Sequence, residues 1–121
     1  MEFPSLEFVK ALQTKLNADS AFFTASKWSD VKVVLSFGNK RYWLKLYGGK
    51  VIDVMEYVSN PLGWDYMVTG SVDAWKALRD KKKPVGELIN YGHIVIDGNM
   101  IQANRMYEST YIILETIRDL K

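Results

Sequence analysis

Apolar positions along the chain change period several times, and each change marks an element. Leu6, Val9, Leu12 and Leu16 recur at helical spacing with Lys10 and Lys15 off the stripe. Ser5 stands where a helix N-cap belongs, with Glu7 in the first turn. After Asn17 a turn is expected, and Asp19 is placed to cap a short second helix carrying Phe22 and Phe23. From Val31 the period becomes two. Val31, Val33, Leu35 and Phe37 point one way, Lys32 and Ser36 the other. Gly38-Asn39-Lys40 is a turn, after which Tyr42, Leu44 and Leu46 share one face and Trp43, Lys45 and Tyr47 the other. Pairing Phe37 with Tyr42 sets Leu35 opposite Leu44 and Val33 opposite Leu46, a continuous apolar ladder.

Gly48-Gly49-Lys50 leads into a third strand from Val51 to about Val58. A two-residue turn puts Asp53 on its core face. A three-residue loop with a left-handed glycine puts Ile52 and Val54 there, and the cost of burying an unpaired carboxylate favours this second register. The stretch from Ser59 to Gly63 is too long for a tight hairpin, so the chain crosses elsewhere before a fourth strand, Asp65 to Thr69. Ser71 caps a helix with Asp73 in its first turn and Val72, Trp75 and Leu78 on one side. Pro84 opens a further short helix to about Asn90, Gly92 breaks it, and Ile94 and Ile96 mark a fifth strand closed by Asp97-Gly98-Asn99. Met100 to Leu120 reads as one long helix. Its stripes are Ala103, Tyr107, Tyr111 and Leu114, and beside them Met106, Ile113, Ile117 and Leu120, with Arg105, Glu108, Glu115 and Arg118 mostly outside. The expected fold class is α+β: a five-stranded, mainly antiparallel sheet in the order α-β-β-β-crossover-β-α-β-α, with helices packed on one face.

At 121 residues the chain is expected to be a single domain spanning 1–121. Its 48% hydrophobic and 25% charged content is that of a globular protein rather than a disordered tail. Sixteen Lys and Arg against fourteen Asp and Glu leave a net charge of +2, too small for the phosphate neutralisation that non-specific nucleic-acid binding requires. The absence of cysteine removes disulfides, thiolate nucleophiles and Cys-based metal centres, and one histidine removes a His-rich metal site. No cofactor is implied. The start Met1-Glu2-Phe3-Pro4 lacks the regions of a signal peptide, and the longest apolar run of the C-terminal segment, Tyr111 to Leu114, falls far short of the ~20 residues that span a bilayer; a cytoplasmic protein is expected.

Catalytic signals are sparse. His93 is the one conventional neutral-pH base, placed at a strand entrance; no Gly-x-Ser-x-Gly elbow or phosphate loop is present. Pairs such as Asp73/Asp80 and Glu108/Glu115 are what solvated helix faces carry. No enzyme is expected. Lys81-Lys82-Lys83 complements the dipole at a helix C-terminus and solvates a loop. A second role for it is transient contact with a membrane surface, or attraction of a carboxylate or lipid head group at a ligand mouth. The remaining signal is the supply of seven Tyr, five Phe and four Trp, with five Met. Phe22, Phe23, Phe37, Tyr42, Trp64, Trp75, Tyr107 and Tyr111 are expected to meet over one sheet, with Met55, Met67, Met100 and Met106 adding adaptable side chains.

Asp65-Tyr66-Met67-Val68-Thr69-Gly70-Ser71, then Trp75, Leu78 and Pro84, then Gly92-His93-Ile94-Val95-Ile96-Asp97-Gly98-Asn99 resembles the sterol-carrier-protein lipid-binding family, and the meander with its turn at Gly48-Gly49 fits too. The resemblance covers about residues 30 to 110. Two features depart from the family: Arg79-Asp80-Lys81 stands where a glycine is common, and the C-terminal helix looks longer and more amphipathic. The resemblance implies a five-stranded sheet covered by helices, with an apolar tunnel between the layers for acyl chains, sterols or similar lipids. Its walls would be Leu35, Phe37, Leu44 and Leu46 on the sheet and Phe23, Trp75, Met106, Tyr107 and Tyr111 on the helices, with Phe37 and Leu44 as floor and Met106 and Tyr107 as a movable wall. An alternative of another class is an interaction or homodimerisation module using the wide apolar face of the C-terminal helix.

Overall fold

The computed structural model describes residues 2–57 and 63–120. The expected crossover at 59–62 and the expected end of the third strand at Val58 lie outside them. Four helices start where a polar side chain takes over an orphan backbone N–H. Ser5 Oγ accepts the Phe8 N–H at 3.1 Å ahead of α1 (Leu6–Asn17), and the Asp19 carboxylate accepts from Ala21 and Phe22 ahead of α2 (Ser20–Ser26). Ser71 caps α3 (Val72–Arg79), and Asn99 caps α5 (Met100–Arg105). The remaining elements are α4 (Val85–Asn90), α6 (Tyr107–Asp119) and the strands β1 (Asp30–Phe37), β2 (Lys40–Tyr47), β3 (Lys50–Glu56), β4 (Tyr66–Gly70) and β5 (Ile94–Gly98). The sheet order is β3-β2-β1-β4-β5, antiparallel except for the parallel pair β1–β4. This is the α+β, mainly antiparallel architecture read from the sequence.

Two registers differ from expectation. The β1–β2 hairpin closes on two residues, Gly38 and Asn39, because Gly38 adopts a φ of +63° that permits the tight turn. Leu35 therefore faces Tyr42, Val33 faces Leu44 and Val31 faces Leu46. The expected ladder was two residues out of step, an even shift that keeps the same side chains on the core face. The β2–β3 turn is also two residues, Gly48-Gly49, which pairs Leu46 with Val51; a bulge then brings Lys45 opposite Asp53 and Leu44 opposite Val54. Neither register weighed from the sequence holds throughout. Val51 and Val54 face the core, whereas Ile52 is 55% exposed and Asp53 points to solvent, so the bulge spares the carboxylate from burial.

Side chains of α1 occupy the backbone of β3 at this point. Gln13 Nε2 and Asn17 Nδ2 donate to the Val51 carbonyl at 2.8 and 3.0 Å, and the Val51 N–H donates to Asn17 Oδ1 at 2.8 Å. Phe23 covers the adjacent turn so closely that a Cβ on Gly49 would lie 2.6 Å from its ring.

The main core lies on one face of the sheet. Val31, Val33, Leu35, Phe37, Tyr42, Leu44, Leu46, Tyr66 and Val68 meet residues from the helices, and every buried helix residue of the core belongs to this side. The expected single C-terminal helix is two, broken at Met106. The halves have different neighbours: α5 lies against β4 and β5, while α6 touches each of the other five helices. Of the aromatics and methionines expected to meet over the sheet, Met55 and Met67 lie on its other face, the one on which Trp43 was expected. Val34, Trp43 and Met67 form a separate buried cluster on the opposite face, with Met55 and Tyr57 packed on it and the Trp43 indole donating to the Gly63 carbonyl at 2.9 Å. Among the described residues no helix is long and apolar enough to cross a membrane.

Gly98 ends β5 at a φ of +114°, with Trp64, the Asp65 carbonyl and the Tyr66 Cα closing on the space a Cβ would need, the nearest at 2.7 Å. Gly98→Ala is expected to destabilise the fold by more than about 1 kcal/mol, read as a lowered urea midpoint with an unchanged slope.

Candidate functional site

Six of the nine side chains expected to line a ligand space come together between the layers: Leu35, Phe37, Leu44, Leu46, Trp75 and Met106 are all buried in the main core. The first five have no accessible surface at all, so sheet and helices are in contact there and leave no water-sized void beside them. Phe23, Tyr107 and Tyr111 lie on the outer side of this layer, 47%, 49% and 39% exposed. The stripe expected to run through Ala103, Tyr107, Tyr111 and Leu114 is therefore divided. Ala103 and Leu114 are buried with Met106, Thr110, Ile113 and Ile117, while the two tyrosines face outward.

The interlayer region has two unlike ends. At the C-terminal end of β1, Phe37 is the centre of an aromatic group, with Trp75 at 4.4 Å, Phe3 at 5.5 Å and Tyr42 at 5.8 Å between ring centroids. The Trp75 indole donates to the Ser36 carbonyl at 2.8 Å, so its buried N–H is satisfied. Toward the start of β1 the interior carries hydroxyls instead. Tyr66, in register with Val33, shares a 2.8 Å hydrogen bond between its hydroxyl and Thr110 Oγ1, and Ser26 Oγ donates to Ser109 Oγ at 2.7 Å. Ser29, buried one turn beyond Ser26, has a hydroxyl with no hydrogen-bond partner. From Val33 to Phe37 is four residues, roughly 13 Å along the strand.

Burial pushes the Tyr66 hydroxyl up to about 12, with the Thr110 hydrogen bond opposing and the Asp65 carboxylate adding to the rise. At the rim, the hydrogen bond and charge of Lys45 hold the exposed Asp30 carboxyl below its usual range, with Lys32 and Arg105 contributing. These hydroxyls escaped the sequence reading. The available signal was spacing: Thr110 sits four residues after Met106 and three before Ile113, on the buried stripe.

His93 is exposed at the edge of a surface depression of about 210 Å³ that Ser71, Asp73 and Lys83 also line. Ser71 Oγ is there engaged by the Ala74 N–H it caps. The Lys81–Lys83 loop ends α3 in a Schellman turn, with the Lys81 N–H on the Leu78 carbonyl and the Lys82 N–H on the Ala77 carbonyl. Lys81 takes the left-handed position at φ +59°, the place of the glycine this chain lacks, and it reaches Asp119 at 3.4 Å, while Lys83 stands 4.0 Å from Glu87.

Neither protein-family models nor curated protein sequences match the chain. Solved structures do. Sterol carrier protein 2 superposes with a TM-score of 0.82 at 13% identity, covering 99% of this chain and all of the other (100%). A conserved hypothetical protein from Thermus thermophilus gives 0.73 at 13% identity, over 99% and 90% of the two chains. Palmitated SCP2L2 from Aedes aegypti gives 0.59 at 16% identity, over 88% and 90%. The chain thus has the sterol-carrier-protein fold. At this identity the fold is what is shared, and it is the one the sequence motifs pointed to.

Two predictions arise from these contacts. Lys81→Gly relieves the left-handed backbone and is expected to stabilise by about 1 kcal/mol, a rise in Tm of roughly 3–5 °C by calorimetry. Tyr66 keeps its proton in the fold to a pH where the unfolded chain has lost it. Stability is therefore complete below about pH 10 and falls as pH rises toward 12, by on the order of 2–3 kcal/mol. Urea titrations across that window should show a shallower loss for Tyr66→Phe.

Proposed function

We propose that the chain is a non-catalytic carrier of an apolar, lipid-like ligand, taken up between the sheet face of Leu35, Phe37, Leu44 and Leu46 and the helix layer that bears Trp75 and Met106. The observation that carries this reading is the end-to-end superposition on sterol carrier protein 2. The palmitated state of a second protein of the same fold supports an acyl chain as one class of ligand. Each methylene moved out of water contributes ~0.8 kcal/mol, so a chain lying along β1 binds tightly without a charged anchor.

Because the layers are in contact along these side chains, the ligand must part them. The break at Met106 supplies the movable element: α5 and α6 can change their mutual angle there, and the unbranched Met106 side chain can give way to an alkyl chain. Tyr107 and Tyr111, and Phe23 on α2, then belong to the outer wall that turns as the layer opens. The interaction-module alternative gains no support, since Ile113, Leu114, Ile117 and Leu120 are covered by the chain's own core. Lys81 and Lys83 stand beside carboxylates that offset their charge, which weakens the case for that loop as a membrane contact.

Native mass spectrometry of protein purified without lipid stripping should reveal a one-to-one adduct of lipid mass, and stripped protein should take up a fluorescent fatty acid at micromolar concentration. A protein that emerges empty and ignores both fatty acids and fluorescent lipids has no carrier role.

A further inference from the structure

We infer that Ser26, Ser29, Tyr66, Ser109 and Thr110 form a head-group pocket that selects apolar ligands ending in an uncharged hydroxyl over those ending in an ionised carboxylate or phosphate. The inference rests on the carrier reading and adds which end of the ligand lies where, with the tail toward Phe37 and the head toward Tyr66.

Polar groups are concentrated at this corner. Ser26, Ser29, Ser109 and Thr110 are four of the five buried polar residues among those described, and the Tyr66 hydroxyl joins them. Ser26 and Ser29 share a turn through the Ser29 N–H to Ser26 carbonyl bond, Ser109 and Thr110 are consecutive on α6, and Tyr66 comes from β4. One surface of the pocket is thus drawn from each layer.

Hydroxyls suit an exchange of partners. Each is both donor and acceptor, so the Tyr66–Thr110 and Ser26–Ser109 pairs can open to admit a third hydroxyl and leave no donor unmatched. That guest would also provide Ser29 Oγ with the partner it lacks, removing a standing cost of burial.

An anion fares worse for three reasons. No cation belongs to the pocket: Arg105, which reaches this corner, is exposed and held by the Trp28 carbonyl at 2.7 Å and by Gln102. The charge of the Asp65 carboxylate disfavours ionisation of the Tyr66 hydroxyl, and it disfavours a second anion beside that hydroxyl in the same sense. An ionised group taken from water into such a site without a counter-charge pays a large desolvation penalty. Tyr66 itself stays neutral across the physiological range.

The test is displacement of a fluorescent alkyl probe from the stripped, full-length protein at pH 8, using 1-dodecanol and dodecanoate as competitors of equal tail. The expected result is about tenfold tighter binding of the alcohol. Tyr66→Phe and Ser29→Ala should each bring the two ligands to within about twofold while still binding the dodecyl tail. Should Tyr66→Phe fail to fold, Ser29→Ala, which deletes an unpartnered hydroxyl, decides alone. Equal or tighter binding of dodecanoate overturns the head-group assignment and leaves the carrier reading standing. So does an alcohol-to-carboxylate ratio that the variants leave unchanged while their Tm shifts, since that is the mark of a purely structural role. Failure of the stripped protein to bind the alkyl probe or either dodecyl ligand removes the carrier reading and this inference with it.

Discussion

The helix side of the sheet depends on α6. It touches all five other helices, and Ile113, Leu114 and Ile117 on its inner face are wholly buried. Burying three such side chains is worth roughly 5–9 kcal/mol before chain entropy is counted, on the scale of a whole domain's net stability. Complete undocking of α6 is therefore equivalent to unfolding, and any route into the interlayer space must leave most of α6 in place. The break in the helix at Met106 separates α6 from α5, the segment that lies against β4 and β5.

A closed interior is compatible with a carrier if the ligand replaces contacts rather than filling a standing hole. The two ends of the region differ in how readily they permit that. Around Phe37 the rings interlock and the Trp75 indole is tied to β1, so this end is built to stay still. Around Tyr66 the link between sheet and helices is the Tyr66–Thr110 hydroxyl bond, while Ser26–Ser109 joins α2 to α6 within the helix layer; each has a net worth of the order of 1 kcal/mol.

The sequence was informative wherever a local rule determined the outcome. Alternation from Val31 to Leu46 identified the two central strands and their core face, and Ser5, Asp19 and Ser71 marked helix starts because a cap is a one-residue signal. It was less informative where distant parts of the chain decide. The hairpin register turned on the conformation of Gly38, and the β3 bulge is matched by Gln13 and Asn17 of α1, some 35 positions away, which no pattern within β3 reveals. Helical periodicity placed Tyr107 and Tyr111 on the apolar side because it assumed one uninterrupted helix. The sheet side of the candidate site was legible from the strands. Its hydroxyl corner was not, because Ser26, Ser109 and Thr110 look like ordinary surface residues until the layers are assembled.

The bulge at Ile52 has a consequence for solubility. An open sheet has two unclosed margins, and a bare margin invites a strand from a neighbouring molecule to dock on it and grow a fibril. On the β3 side, the Asn17 side chain engages both the N–H and the carbonyl of Val51 and so imitates the strand that would otherwise add there. The distorted ladder beside it, flanked by Lys50, Asp53 and Glu56, offers an incoming strand neither a straight edge nor an uncharged one. A short amide side chain from the first helix thus doubles as a safeguard against aggregation.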